Sequence, residues 1–390
     1  MSLEMIVRAG KLYDGTLDTP RQNVDITILD GAIAAIAPAA EGGSPDRVAA
    51  CVTPGMVNAH AHLVGSGEPN TMAAIAAMNQ NQLMLAAVAN ARKSLRAGVT
   101  AVRDLGSPHG IAQALRDAIE SGALPGPRIR AAGRALCMTG GHGWFVGRQT
   151  DGPWDARKAV REELFAGADC IKVIATGGVL TKGAVPGNAQ LLPEELDAAI
   201  DEAHRHGLRV AAHAIGTQGI KNALRAGIDS IEHGHMLDDE AIELFKERGV
   251  YLVPTLAAPS CILEHIHEGA QPPWVIEKAE RVNEAMLRNI RRAYEAGVKI
   301  AGGSDAGTPY NDHDGYAYEV ELMHTLLGMT PQQALHATTA VGAELLGLHR
   351  GILAEGEPAD LILFDRDIAS DIRSLRAPLT VIKSGATIFS

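Results

Sequence analysis

The chain has 390 residues, 46% of them hydrophobic and 21% charged, which suffices for a large core and is too apolar for a disordered chain. A formal net charge of −11 argues against the basic face that nucleic-acid binding needs and favours solubility. The cysteines Cys51, Cys137, Cys170 and Cys261 form no CxxC pair, no stretch is long enough to span a membrane, and the first residues lack a signal-peptide pattern; a cytoplasmic enzyme with no nucleic-acid or membrane partner is expected.

Short strands and turns fill the first fifty residues. VDITILDGAIAAIAP places two apolar runs around Asp30-Gly31, a hairpin signal. From there strand-like runs alternate with helical stretches, the pattern of βα units on a parallel sheet. The eight runs are 52–60, 99–106, 128–136, 170–178, 209–216, 230–237, 250–257 and 299–307. Helices are expected over 72–97, 155–166, 193–206, 239–248 and 275–297. Arg96-Ala97-Gly98, Arg225-Ala226-Gly227 and Glu295-Ala296-Gly297 each read as a helix ending at a C-terminal glycine before the next strand. The last forty residues, with ADLILFD and LTVIKSGATIF, are again strand-rich. The reading is a (β/α)8 TIM-like barrel over 53–352, with a small β-sandwich domain built from 1–52 and 353–390.

Such barrels do their chemistry at the C-terminal ends of the strands. The first strand ends in His60-Ala61-His62, and residues two apart on a strand face the same way. Lys172, His213, His233 and Asp305 lie near the ends of strands four, five, six and eight. Imidazole and carboxylate ligands suit zinc and similar divalent cations. A protonated lysine does not, but burial beside Ile171 and Val173 favours the neutral amine. That amine can take up carbon dioxide as a carbamate able to bridge two metals. Two metals about 3.5–4 Å apart would acidify a shared water and polarise a carbonyl. Asp305 would accept the proton of that water and return it to the leaving nitrogen. His265-Ile266-His267, by contrast, reads as polar surface in a loop. The segment from Pro259 to Trp274 is long enough to be either a lid or a surface excursion.

Taken together, VTPGMVNAHAHL, DCIKVIATGG, AAHAIG, SIEHGH and GGSDAGTP resemble the amidohydrolase superfamily over nearly the whole chain, including LLGLHRGILAEGEPADLILFD near the C-terminus. The resemblance implies His60 and His62 on one divalent metal, such as zinc, and His213 and His233 on a second. It implies carboxylated Lys172 as the bridge, and Asp305 as both ligand and general acid/base. TGGHG (139–143), GGVLTKGAVPGNAQLLPEEL, HGHMLDDE and SDAGTPYNDH resemble the group of Xaa-Pro dipeptidases, Lys/Arg carboxypeptidases and imidazolonepropionase-like proteins. Within that group His142 matches a substrate-binding histidine. The implied reaction is hydrolysis of an amide or peptide bond in a small molecule, a dipeptide or an N-acyl amino acid. Several dipeptidases carry a substrate-recognising tyrosine where this chain has Ile215. Tyr310, Arg148, Lys182 and His313 are the alternatives for holding a substrate carboxylate, with Tyr310 taken as substrate-binding. A mononuclear cyclic-amide hydrolase or deaminase is the competing reading, although Gly216 stands where many deaminases have a glutamate. A non-catalytic scaffold is the third. A homo-oligomer is expected from the frequency of closed symmetric assemblies.

Overall fold

The computed structural model of the protein describes residues 4–349 and 351–389. Two strand systems divide the chain. The terminal one is a seven-stranded sheet. It uses β1 (Glu4–Leu12), β2 (Arg21–Leu29), β3 (Ala32–Pro38) and β4 (Arg47–Pro54) from one end of the chain. From the other it takes the segments at Leu361–Phe364, Thr380–Lys383 and Ala386–Phe389. The expected hairpin is present: β2 and β3 pair antiparallel, and Asp30 (φ 49°) and Gly31 (φ 86°) form the tight turn. This sheet buries Val7, Leu12, Ile26, Ile28, Leu361 and Leu363 in a core of its own.

The second system is a parallel (β/α)8 barrel. Its strands are β5 (Met56–Ala61), β6 (Val99–Asp104), β7 (Arg128–Ala131) continued by β8 (Ala135–Cys137), and, past the short β9 (Gly147–Gln149), β10 (Cys170–Ile174). The rest are β11 (Arg209–Ala214), β12 (Ser230–His233), β13 (Tyr251–Val253) and β14 (Lys299–Ile300). Strand one therefore starts at Met56 rather than at residue 52, because the preceding residues pair into the terminal sheet up to Pro54. The third run is broken. β7 pairs with β6 and β8 with β10, and at the break the backbone N–H of Arg134 and its guanidinium both bond Glu163. The eighth strand closes on the first irregularly. Ala59 donates its N–H to Gly302 (2.9 Å), Asp305 to the His60 carbonyl (2.9 Å) and His62 to Ala306 (2.8 Å).

Helices pack around the barrel because their apolar residues recur on one face. The expected helix over 72–97 is two helices, Thr71–Ala77 and Gln80–Arg96. Asn79 interrupts it: its side chain accepts the N–H groups of Asn81 and Gln82 while the Gln82 side chain accepts its own, a capping box that starts a new helix. Gly98, Gly227 and Gly297 all take φ near +89°, as the helix-ending pattern requires. The four cysteines are free and buried. Among the described residues no helix is long and apolar enough to cross a membrane.

Ile362 joins the two systems. Leu361 and Leu363 face the terminal core, whereas Ile362, fully buried, packs into the barrel core over Gly98. Ile362→Ala should lower stability by about 2–5 kcal/mol, read by denaturant unfolding.

Candidate active site

The strand ends converge on one cavity of about 110 Å³, which reaches His60, His62, Lys172, His213, His233 and Asp305. Register explains the convergence. Ile174 is level with His213, and Ala214 with His233, so Lys172 lies one inward-facing layer below His213. The seam between strands eight and one sets Asp305 against His60. Asp305 Oδ1 lies 3.3 Å from His60 Nε2 and 3.2 Å from His62 Nε2. These three ligand atoms fall within 4.8 Å of one another. The His213 ring centroid is 4.5 Å from that of His233, which is 5.3 Å from that of His60.

Each imidazole has one nitrogen committed to a protein oxygen. His60 Nδ1 lies 2.8 Å from Glu232 Oε2. His62 Nδ1 is 3.4 Å from the Gly106 carbonyl, and His213 Nε2 is 3.1 Å from the Gly177 carbonyl. His233 Nδ1 is 2.7 Å from Thr255 Oγ1. A carboxylate or carbonyl partner assigns the proton to the nitrogen it touches, which leaves the opposite nitrogen as a lone pair. Two such lone pairs and a carboxylate oxygen then meet at His60, His62 and Asp305. In those tautomers the three atoms are all acceptors, which a shared cation would satisfy.

Electrostatics agree. Burial pushes His60 down to about 4, and burial with the neighbouring imidazoles holds His213 and His233 well below the usual histidine range, so all three favour the neutral, ligating form. For His62 burial again opposes charge, but the Asp305 and Asp104 carboxylates lift it above its ordinary value, as expected where the local field favours a cation. Burial raises Asp305, and the adjacent His60, His62 and Lys172 more than offset it. Lys172 is buried, its Nζ has no hydrogen-bond partner among the described residues, and desolvation brings it down to about 8. Backbone strain collects here too: His233 (φ 73°), Thr255 (φ 47°) and Asp305 (φ 59°) are three of the eight described non-glycine residues with positive φ.

Several supporting residues carry no signal in the strand-end pattern. Glu232, on β12, is fully buried. Its other oxygen takes a 2.8 Å bond from Arg103 on β6 and a 2.6 Å bond from Ser230, while Arg103 also donates to the Ala59 carbonyl at 2.7 Å. Arg103 thus clamps the carboxylate that orients His60. His142 lies over His213 with centroids 4.5 Å apart, and its Nδ1 meets Thr181 Oγ1 at 2.9 Å. Its ring fits because residue 178 is glycine; a Cβ there would come within 2.4 Å of His142 Nε2. His235 also lines the cavity, with Nε2 2.8 Å from the Pro254 carbonyl.

The remaining candidates lie elsewhere. Tyr310 is not among the cavity-lining residues; its ring stacks on His265 at 4.4 Å. Arg148 is bound to Asp155 and Glu162, Lys182 is exposed, and His313 meets the Gly65 carbonyl at 2.8 Å. His265 caps helix Ala257–Glu264, and His267 is exposed. The 259–274 segment contributes Pro259 and Ile262 to the cavity wall and packs Ile262 on Val275 and Ala279.

Removing Arg103 strands a buried charge. Arg103→Ala should cost about 3–5 kcal/mol in denaturant unfolding. Glu232→Gln, which keeps the shape, should weaken metal affinity by about 10–100-fold in chelator competition.

The amidohydrolase family model matches residues 51–388. Ochratoxinase from Aspergillus niger is 32% identical over 330 residues, 76% of this chain; the match spans 66% of that relative's length. Its crystal structure superposes with a TM-score of 0.87 at 28% identity, covering 99% of this chain and 95% of that one. A Xaa-Pro dipeptidase with methionine bound in its active site gives a TM-score of 0.91 at 33% identity, with both chains fully covered. Imidazolonepropionase from Ectopseudomonas mendocina is 25% identical over 398 residues, covering 91% of this chain and 89% of the relative. The chain belongs to the amidohydrolase family, and so to the hydrolases that act on carbon–nitrogen bonds.

Proposed function

We propose that the protein hydrolyses an amide bond of a small molecule with two divalent cations, zinc being the metal best suited to these ligands. His60, His62 and Asp305 would hold one, His213 and His233 the other, and Lys172, as its carbamate, would bridge them. The observation that carries this reading is the buried Lys172 Nζ, without a hydrogen-bond partner among the described residues, in a cavity that six imidazoles line, His60, His62, His213 and His233 among them. A lysine there is costly as a bare ammonium. As a neutral amine it can add carbon dioxide and release a proton, and the resulting anion suits a site that demands cations. Metal ions in such a site would acidify a water and polarise the substrate carbonyl.

The chain's own groups supply the rest. Against the effect of burial, the adjacent His60, His62 and Lys172 hold the Asp305 carboxyl below its ordinary range, which favours the carboxylate that would take a proton from the attacking water and then release it to the leaving nitrogen. His142, which lines the same cavity beside His213, would bind the substrate. Glu232 and Thr255 keep the His60 and His233 rings fixed through the cycle.

Lys172→Ala should lose activity and one of its metals, and recover part of both when short carboxylic acids are added to replace the carbamate. Full activity of Lys172→Ala without such acids would contradict the bridging role. Asp305→Asn should lower kcat by about 10²–10⁴-fold in steady-state assays.

A further inference from the structure

His235, the second histidine of SIEHGH, lines the cavity and has no part in the proposed metal set. The turn that carries it is tied down on both sides. Gly234, at φ 64°, donates to the Ala214 carbonyl and Met236 to the Ile215 carbonyl, each at 3.0 Å. The His235 carbonyl accepts Asn289 Nδ2, from the helix Pro273–Glu295, at 3.0 Å. The ring itself is 1% exposed, and its Nε2 lies 2.8 Å from the Pro254 carbonyl. A carbonyl oxygen only accepts, so Nε2 carries the proton and Nδ1 is left as a lone pair. That Nδ1 is buried and has no hydrogen-bond partner among the described residues. A buried acceptor left unpaired is costly and calls for a donor. His142 differs: its Nδ1 meets Thr181 Oγ1, a hydroxyl that can donate or accept, so either tautomer suits it. Of the two imidazoles outside the metal set, His235 is the one whose role the geometry fixes as acceptor. Its ring centroid is 5.7 Å from that of His233, beside the ligands proposed for the second cation.

We propose that His235 Nδ1 accepts a hydrogen bond from an N–H group of the substrate, and so selects small amides that carry such a donor close to the bond being cut. The inference rests on the amide-hydrolysis reading above and deepens it. Dipeptides and N-acyl amino acids, the classes that the family resemblance implies, both meet the requirement, the first with an amino group and the second with an amide N–H. Such a donor gives up water on entering the cavity and needs an acceptor there. An imidazole already held in place supplies one without further ordering of the protein.

The test uses probe pairs in which methylation removes the donor: N-acetyl-L-phenylalanine against N-acetyl-N-methyl-L-phenylalanine, and L-alanyl-L-proline against its N,N,N-trimethyl form. The zinc-loaded wild-type chain is compared with His235→Phe, which keeps a ring but has no nitrogen, and with His235→Gln, whose amide oxygen can accept. Affinity is read by calorimetry for probes that are not cut and as kcat/KM for those that are. In at least one pair the wild-type preference for the N–H member should exceed that of His235→Phe by about 5–10-fold, and His235→Gln should recover part of it. Chelator competition should give all three chains the same zinc affinity. A long-range 1H–15N spectrum of the wild-type rings, with His235 assigned by its loss in His235→Gln, should show a protonated Nε2 and a bare Nδ1. An unchanged preference in His235→Phe, binding of no probe, a protonated Nδ1, or zinc loss in His235→Phe, which would make Nδ1 a metal ligand, would overturn the proposal. If the preference depends on His235 but no probe is hydrolysed, the amide-hydrolysis reading fails and the donor-binding subsite stands.

Discussion

The site depends on one buried carboxylate. Glu232 has no exposed surface, yet it holds a charge in the middle of the barrel because Arg103 reaches it from the far wall at 2.8 Å. Burial alone would raise its pKa; Arg103 and then His60 bring it down to about 2. An ion pair of this kind contributes little net stability, since the desolvation of both charges offsets their attraction. Its effect is geometric. It ties β6 to β12 across the barrel, and through the 2.8 Å contact to His60 Nδ1 it fixes which nitrogen of that ring faces the cavity. Arg103 also holds the Ala59 carbonyl, one residue before His60. The ring and its backbone are thus anchored by the same guanidinium.

From that anchor the acceptors accumulate. The seam between strands eight and one delivers Asp305 to His60 and His62, and strands five and six bring His213 and His233 alongside. Each of the four imidazoles is oriented from behind, by Glu232, Thr255 or a backbone carbonyl. Such preorganisation is what lets a metal bind without rearranging the protein. It also explains the strained backbone at His233, Thr255 and Asp305, because the ends of the strands turn where the ligands must point. Around this polar floor the cavity wall is largely apolar, with Leu105, Phe145, Ile215 and Ile262 among its residues.

Much of this was legible in the sequence. Eight alternating runs gave the barrel, and the principle that barrels react at their strand ends picked out His60, His62, Lys172, His213, His233 and Asp305, which do meet in one cavity. What was hidden has physical causes. Asn79 splits a continuous helical pattern through a local capping box, which competes with periodicity. Strand three is broken by the tie of Arg134 to Glu163, a contact 29 residues apart that no local pattern records. Arg103 and Glu232 lie inside strand runs read for their apolar residues. The signal available there was a pair of opposite charges in strands buried on both faces, where charges survive only when paired. Tyr310 was chosen from its neighbourhood in the chain, and its position depends on a stack with His265 that sequence spacing cannot foresee.

The proposed reaction requires two cations held by six side chains. Elemental analysis of the purified, folded chain titrated with zinc is the most direct measurement. Two equivalents of tightly bound metal per chain are predicted. Saturation at one equivalent, or an active chain that binds none, would contradict it.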